Sequence, residues 1–598
     1  MCGIYLTNIQ FSKKEIKKKL EKIKYRGPDN SGFLKENDIS LAHLRLSILD
    51  LDERSNQPFK YKQLSLVYNG EIYNFKEVKD ILIKEGYSFE TTSDTEVLIK
   101  GYHLWGEKVL DRINGMFAFA IYDVIKNIVF IARDRIGVKP LYYNFNNAQL
   151  EICSQIQPLH KKELDKEAIN IYLQTGYIPS PFSIYEGIRK LQPGHFAIFN
   201  LGSNKLKIKT YWDLKKIKLQ KISYQEAKEK LHTLLIDAVK IRLQSDVPFG
   251  SFLSGGIDSA IVSAIANSIQ KDKLKTFTIG FENKKFDESE VAKNFANIIK
   301  SDHHLIHCNQ KDVISLVDSF FQVYDEPFAD SSAIPSLLLN KKVKKHVTVA
   351  LSGDGGDESF LGYNHFSWVK KVSYLFYLPL FFRRLVTYLI PFKLLGKRGQ
   401  SYKNIIKMRN INEFIVSIFT GFYSILRIDN KKWMTHYGNY LFLAKDNLQK
   451  AADLNLKLWL ENDSNVKVDR SSMASSVEVR SPLLDYRIIE FTRSLPTRFR
   501  FNGFTRKKIL KDILSNYIPE KVFNVPKKGF SVPMAKWIRT DLKDEIKSYL
   551  TDEFLDPITS LDKKKVKYCL EQHLNHKEDF SSIIWRVYVL IKWIKINK

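Results

Sequence analysis

The sequence predicts a two-domain α/β and α+β chain: a β-rich α+β part over residues 2–209, then a doubly wound parallel-sheet domain with helical extensions over 210–598. Three observations carry this. The chain has 598 residues, and at about 150 residues per domain it holds two or more domains, each large enough for a real core. Up to residue 200, short alternating or apolar runs are separated by turn signals. After about 210, apolar runs alternate with helical segments, the pattern of a parallel sheet.

Residues 40–49, 64–69, 116–123 and 128–133 read as strands of the first part. Residues 201–220, with Gly202, Asn204 and lysines around Trp212, read as a connector, and a helical pattern starts at Ser223. Runs at 249–253, 274–281, 304–307 and 347–351 are the strands of the second part, with a helical stretch at 260–269. From about 365 onward the pattern is mostly helical. The most apolar stretch, 374–390, contains Pro379 and Arg383-Arg384, so it falls short of the roughly 18 uninterrupted apolar residues of a spanning helix. It reads as a buried helical hairpin, with attachment to a membrane surface as the alternative.

Composition narrows the function classes. With 44% hydrophobic and 27% charged residues, disorder throughout is excluded. Ninety-four Lys and Arg against 66 Asp and Glu give a net charge of +28, which raises a polyanionic partner as a hypothesis. The lysines lie in short scattered clusters and read as a solvated surface, so no nucleic acid is expected. Four cysteines, Cys2, Cys153, Cys308 and Cys569, are too few and too scattered for a disulfide framework or a zinc site, which fits a reducing, cytoplasmic setting. No secretion signal is visible at the start of the chain. His303, His304, His307 and Cys308 crowd together, but neighbours in a strand face opposite ways and no second ligand cluster follows, so they read as structural. His573 and His576, three apart, read as an exposed helix face.

Chemistry gathers in two regions. Cys2 follows the initiator; removal of Met1 leaves a free α-amine able to serve as base for its own thiol. Nearby stretches supply the remainder of an amide-hydrolysis site: Arg26-Gly-Pro-Asp29, His43-Leu-Arg45, Asn69-Gly-Glu-Ile-Tyr-Asn74 and Ser93-Asp-Thr-Glu96. An amino-acid amide needs a cation for its α-carboxylate, carboxylates for its α-ammonium, and two donors for the oxyanion. In the second region, Ser254-Gly-Gly-Ile-Asp-Ser259 sits between an apolar strand and a helix, a backbone cradle for phosphate. It lacks the Gly-Lys-Ser/Thr ending of a γ-phosphoryl-transfer loop, so pyrophosphate release is the natural reading. Ser352-Gly-Asp-Gly-Gly-Asp-Glu358 follows a later strand and falls on the same sheet edge, where Asp258 and Asp357 are placed to hold Mg²⁺ on pyrophosphate.

The first set of motifs resembles the glutaminase domain of class II glutamine amidotransferases, the N-terminal-nucleophile (Ntn) αββα sandwich. By that resemblance Cys2 is the nucleophile, Arg45 binds the glutamine α-carboxylate, Glu71 and Asp94 hold its α-ammonium, and Asn69 with the Gly70 N–H forms the oxyanion hole. The second set, with Asp325–Asp330, Ser472–Asp485 and Pro526–Pro533, resembles the ATP pyrophosphatase domain of asparagine synthetases. The resemblance implies ATP, Mg²⁺, glutamine and aspartate as cofactors and substrates. It places Leu253, Ser254, Gly255, Gly256, Asp258, Ser259, Ile279, Ser352 and Gly353 on the nucleotide, Asp354 at adenylate formation, Lys507 on the phosphate, and Glu358 and Arg480 on the acceptor. Amidation of another carboxylate, such as a uronic-acid sugar, is the alternative, and a homodimer is left open. Ser359 and Leu361 depart from the family pattern, which usually has leucine and glycine there.

Overall fold

The computed structural model describes residues 2–160, 163–281, 287–389, 396–420, 425–427, 431–503, 505–524 and 532–597. The first domain is built from strands β1 (Gly3–Thr7), β2 (Asn30–Glu36), β3 (Ile39–Arg45), β4 (Phe59–Tyr61), β5 (Leu64–Ile72), β6 (Gly115–Asp123), β7 (Ile128–Arg133), β8 (Tyr142–Asn146), β9 (Gln149–Cys153), β10 (Ile188–Lys190), β11 (His195–Asn200) and β12 (Lys205–Thr210). They form two six-stranded sheets, ordered β10-β8-β9-β1-β3-β2 and β12-β11-β7-β6-β5-β4. Alternation aims one side of each sheet inward, where Ile4, Leu6, Val67, Ala120, Ile131 and Phe199 make a shared core. The outer face of the second sheet carries the helices Phe75–Lys84 and Asp94–Trp105. The outer face of the first carries Lys13–Glu21 and Lys166–Thr175. The domain is thus an αββα sandwich.

Part of the expected connector is a strand. Residues 205–210 pair with β11 along their whole length as an edge strand. The sequence KLKIKT gave little apolar signal because the edge is largely exposed, and lysines protect such an edge from pairing with other chains.

The second domain opens with the helix Tyr224–Arg242, whose N-cap Ser223 accepts from the Glu226 amide. Strands β13 (Phe249–Phe252), β14 (Lys275–Phe281), β15 (Asp302–Cys308), β16 (Val349–Leu351) and β17 (Glu478–Arg480) form a fully parallel sheet in the order β15-β14-β13-β16-β17. Chain order reverses between β13 and β16. In an open parallel sheet, the crevice beyond the carboxyl ends of two such strands is where ligands bind, and both glycine loops start there.

Two further expectations need correction. Stretch 374–390 is helical, through the end of Asn364–Leu375 and through Leu380–Leu389, but the second helix packs on Gly396–Lys407 and not back on the first, so it is no hairpin, and it is not buried: Phe381 and Tyr377 are among its exposed side chains. Ile390 lies outside the described residues. His573 is buried, because the Ala535 carbonyl and the Phe580 amide both bond its ring. Tertiary packing from two other elements covers a face that spacing alone marked as exposed.

Candidate active sites in two clefts

The first cleft forms where β1 begins. Cys2 immediately precedes β1, and the β1–β3 register of Gly3 with Leu44 sets it opposite Arg45. Cys2, Arg45, Gly70, Glu71, Asp94 and Glu478 line one pocket. The Cys2 amide donates to Asn69 Oδ1 over 2.9 Å. Burial pushes the thiol pKa up, while the chain's amino terminus and Arg45 act the other way. The Arg45 guanidinium donates to the Asp52 carbonyl at 3.0 Å and Asn56 Oδ1 at 2.7 Å, which braces the rim of the pocket. A Cβ at Gly70 would come 2.1 Å from the Met116 carbonyl, so only glycine lets β5 lie this close to β6.

Asp94 stands at the start of its helix, capped by Ser93. Its carboxylate accepts from Tyr68 Oη at 2.8 Å and from the Ile72 amide at 2.9 Å. Burial nevertheless raises its pKa to about 6. Glu71 is likewise pushed up by burial, against the pull of Arg480.

Neighbouring His43 is 1% exposed, with Nε2 3.1 Å from the Tyr68 carbonyl. Burial lowers its pKa to about 3. The folded state keeps this ring neutral, whereas the unfolded chain takes up a proton below about pH 6.5. Its contribution to stability is therefore complete above pH 6.5 and lost as the pH falls toward 3. Between pH 6 and 4 the wild type is expected to lose up to about 1.4 kcal/mol per pH unit more than His43→Asn in urea unfolding. Parallel pH profiles would contradict this.

The second cleft encloses about 520 Å³ at the reversal point of the parallel sheet. Leu253, Ser254, Gly256, Asp258, Ser259, Ile279, Ser352, Gly353, Asp354, Asp357 and Glu358 line it together. Gly255 belongs to the same loop but turns toward Glu288, whose Cβ would lie 3.1 Å from a Cβ placed there. The loop feeds the helix Ile257–Ile269, whose first-turn amides and dipole favour an anion. Within it, the Ser254 hydroxyl lies 2.9 Å from that of Ser259 and accepts from the Gly256 amide.

Lys507 reaches over the rim and joins the two glycine loops. Its ammonium pairs with Asp258 and, at 2.6 Å, with Asp357. Burial opposes its charge, but these two carboxylates overcome that and raise its pKa. Its backbone holds φ 55°, a strained setting for a lysine, and Leu361 holds φ 58°. The second value explains why a glycine would be the ordinary occupant of position 361. Asp258 and Asp357 offer hard oxygen donors on one point, which fits Mg²⁺, an ion that needs only one or two protein carboxylates when phosphates supply the rest. Burial raises the pKa of Asp354, which accepts from the Ser352 hydroxyl. Glu358 is raised to about 7 by burial and then by Asp357, and accepts from Tyr363 Oη at 2.7 Å.

Arg480, expected on the acceptor, does not line the second cleft. In the short strand β17 alternate side chains face opposite ways. Val479 lines the second cleft, while Glu478 lines the first and Arg480 turns to Glu71. The Arg480 guanidinium is fully buried and spent: 2.9 Å to Glu71, 2.6 Å to Glu478, and hydrogen-bonded to the Arg242 and Gln244 carbonyls. Sequence reading also missed Lys467, which lines the second cleft and pairs with Asp330 at 2.8 Å. It lies just upstream of the Ser472–Asp485 motif, and only its proximity to that motif signalled it. Residues 526–531 of the Pro526–Pro533 motif fall outside the described residues.

The domains are joined by buried charge pairs, including Arg26 with Asp469 at 2.8 Å and Arg133 with Glu461 at 3.1 Å. An apolar cluster also crosses the junction: Leu46, Ile48, Tyr73 and Met116 from one side meet Ile241, Val349 and Met473 from the other.

A family model described as a glutamine amidotransferase domain matches residues 1–212, and one described as asparagine synthase matches 230–595. The first match puts the αββα sandwich and its Cys2 pocket in the class of glutamine amidotransferases. The glutamine-hydrolyzing asparagine synthetase 1 of Bacillus subtilis (strain 168) is 31% identical over 604 residues, covering 97% of this chain and 93% of the relative. A putative asparagine synthetase of Methanocaldococcus jannaschii is 39% identical over 418 residues, covering 64% and 79%. The amidase chyE of Penicillium rubens is 27% identical over 617 residues, covering 93% and 90%. The chain belongs to the asparagine synthase family and is an enzyme.

Proposed function

We propose that the protein transfers the amide nitrogen of glutamine to aspartate, using ATP to activate the acceptor as an acyl-adenylate. The observation that carries this reading is β17, a single strand that lines the nucleotide cleft with Val479 and the Cys2 pocket with Glu478. One chain thus couples an amide-hydrolysis site to an adenylation site.

In the first site the Cys2 thiolate, deprotonated by its own α-amine, attacks the glutamine carboxamide. Arg45 grips the α-carboxylate, Glu71 and Asp94 the α-ammonium, and Asn69 with the Gly70 amide takes the oxyanion. Ammonia leaves, and water releases glutamate. The apolar cluster from Leu46 and Ile48 to Val349 supports a dry route for that ammonia, which would become unreactive ammonium in bulk water. In the second site the acceptor carboxylate attacks the α-phosphorus of ATP and pyrophosphate departs. Leu253, Ile279, Ser352 and Gly353 hold the adenylate, the 254–259 loop cradles phosphate, and Lys507 neutralises the charge that develops there. Asp354 orients the groups that form the adenylate, and Glu358 faces the acceptor. Asp258 and Asp357 would hold Mg²⁺, which supplies charge neutralisation on the leaving pyrophosphate. Ammonia then displaces AMP to give the amide.

The fungal amidase relative and the departures at Ser359 and Leu361 favour a second acceptor reading, the same chemistry on another carboxylate such as a uronic-acid sugar. Pyrophosphate release with glutamine and MgATP separates the two. Aspartate is expected to stimulate it well above acceptor-free background. Stimulation by a uronic acid with none by aspartate would replace the first reading by the second.

A further inference from the structure

The helix Leu380–Leu389, which follows Asn364–Leu375 after a short turn, is inverted relative to an ordinary surface helix. Its outward stripe is apolar at a spacing of four: Tyr377 is 82% exposed, Phe381 73%, Leu385 47% and Leu389 73%. Its inward side carries a charge. Arg383 is 2% exposed and donates to the carbonyls of Leu378, Ile406, Met408 and Arg409 at 2.8–3.1 Å. Those bonds tie the helix to the end of its neighbour Gly396–Lys407 and lock its rotation with the apolar stripe outward. Among the described residues, nine of the 20 exposed large hydrophobic side chains fall between Trp368 and Tyr402. Such a concentration marks an interaction surface.

The charge around the stripe selects the partner. Besides the buried Arg383, the sequence from Ser359 to Asn412 has nine Lys and Arg and no Asp or Glu. Arg384 is exposed beside the stripe, and the Lys371 ammonium lies 5.9 Å from the Trp368 ring centre. Aromatic and aliphatic side chains flanked by basic ones, on helices lying along the surface, are the composition of an interfacial membrane anchor. No helix among the described residues is long and apolar enough to cross a membrane. We infer that this helix seats the enzyme on an anionic lipid bilayer, with the Tyr377–Leu389 stripe inserted at the headgroup boundary and the exposed Arg384 and Lys407 on lipid phosphates. The surface is also near the chemistry. Asn364 lines the nucleotide cleft and opens the twelve-residue helix leading to the stripe, which spans about 18 Å.

The test is co-sedimentation of the full chain with vesicles of phosphatidylcholine alone or with about 30% phosphatidylglycerol. The wild type is expected to bind the anionic vesicles at least about tenfold more tightly than the neutral ones, and less tightly as salt is raised. Phe381→Glu/Leu385→Glu/Leu389→Glu, all on the exposed stripe, is expected to lose binding by about tenfold or more at unchanged melting temperature and unchanged ammonia-dependent pyrophosphate release. Arg384→Glu/Lys407→Glu, which leaves the stripe intact, is expected to weaken binding to the anionic vesicles alone. A wild type that stays in the supernatant with both vesicle types overturns the inference. So does a dimer in sedimentation velocity that the triple variant splits while lipid binding is absent, since a second copy would then cover the stripe.

Discussion

Cys2→Ala is expected to abolish glutamine-dependent amide formation, by at least about 10³-fold, and to leave ammonia-dependent formation within about twofold of wild type. Among the described residues Cys2 is the only cysteine that lines the first pocket; Cys153, Cys308 and Cys569 are buried and do not line it. Its loss removes the acyl-enzyme step, because none of the other lining residues carries a thiol beside a free α-amine. Alanine fits the space, and the main-chain bond from residue 2 to Asn69 does not depend on the side chain, so the oxyanion site should keep its shape. The second cleft draws its lining from residues 252–506, with none from the first domain. Added ammonium salts supply ammonia to it directly. Assays of amide formation with glutamine and with ammonium chloride, alongside glutamate release, read the two sites separately. Joint loss of both activities in a folded variant would show that the clefts are not separable.

What could be read before the structure follows a physical division. Cys2, Asn69, Gly70 and Asp94 are recognisable because each sits in a local motif whose turn or cap chemistry is written in adjacent residues. The loops 254–259 and 352–358 are recognisable because each directly follows an apolar run, and a parallel sheet delivers such loops to one edge. Arg480 shows where this fails. Its facing depends on the parity of a three-residue strand, too short to leave an alternating signal, and a one-residue difference exchanges the second cleft for the Glu71 carboxylate. His573 and Lys467 depend on partners 38 and 137 residues away in sequence. The exposed stripe is the reverse case. Hydrophobicity at 374–390 suggested burial, but local composition does not say whether a partner element exists to cover it.

Replacing Lys507 with methionine is expected to reduce pyrophosphate release by about 10³-fold, with glutamine or with ammonia as nitrogen source, while glutamate release from glutamine persists. The ammonium is the cation that bridges Asp258 on the first glycine loop and Asp357 on the second. Without it two partly buried carboxylates lose the cation they share, and one of them is driven toward its protonated form. Breaking a buried pair in this way costs folding about 3–5 kcal/mol, so the variant's melting point must be measured beside its activity. Gly362→Ala separates positioning from stability. A Cβ at residue 362 would lie 1.9 Å from Lys507 Cε and 2.1 Å from Asp357 Oδ1, so the alanine must push the lysine off its bridge while every charge remains. Its pyrophosphate release is expected to fall in the same direction by a smaller factor, about tenfold. If both variants released pyrophosphate at wild-type rates with the fold intact, Lys507 would be a strut between the loops with no part in stabilising the phosphate.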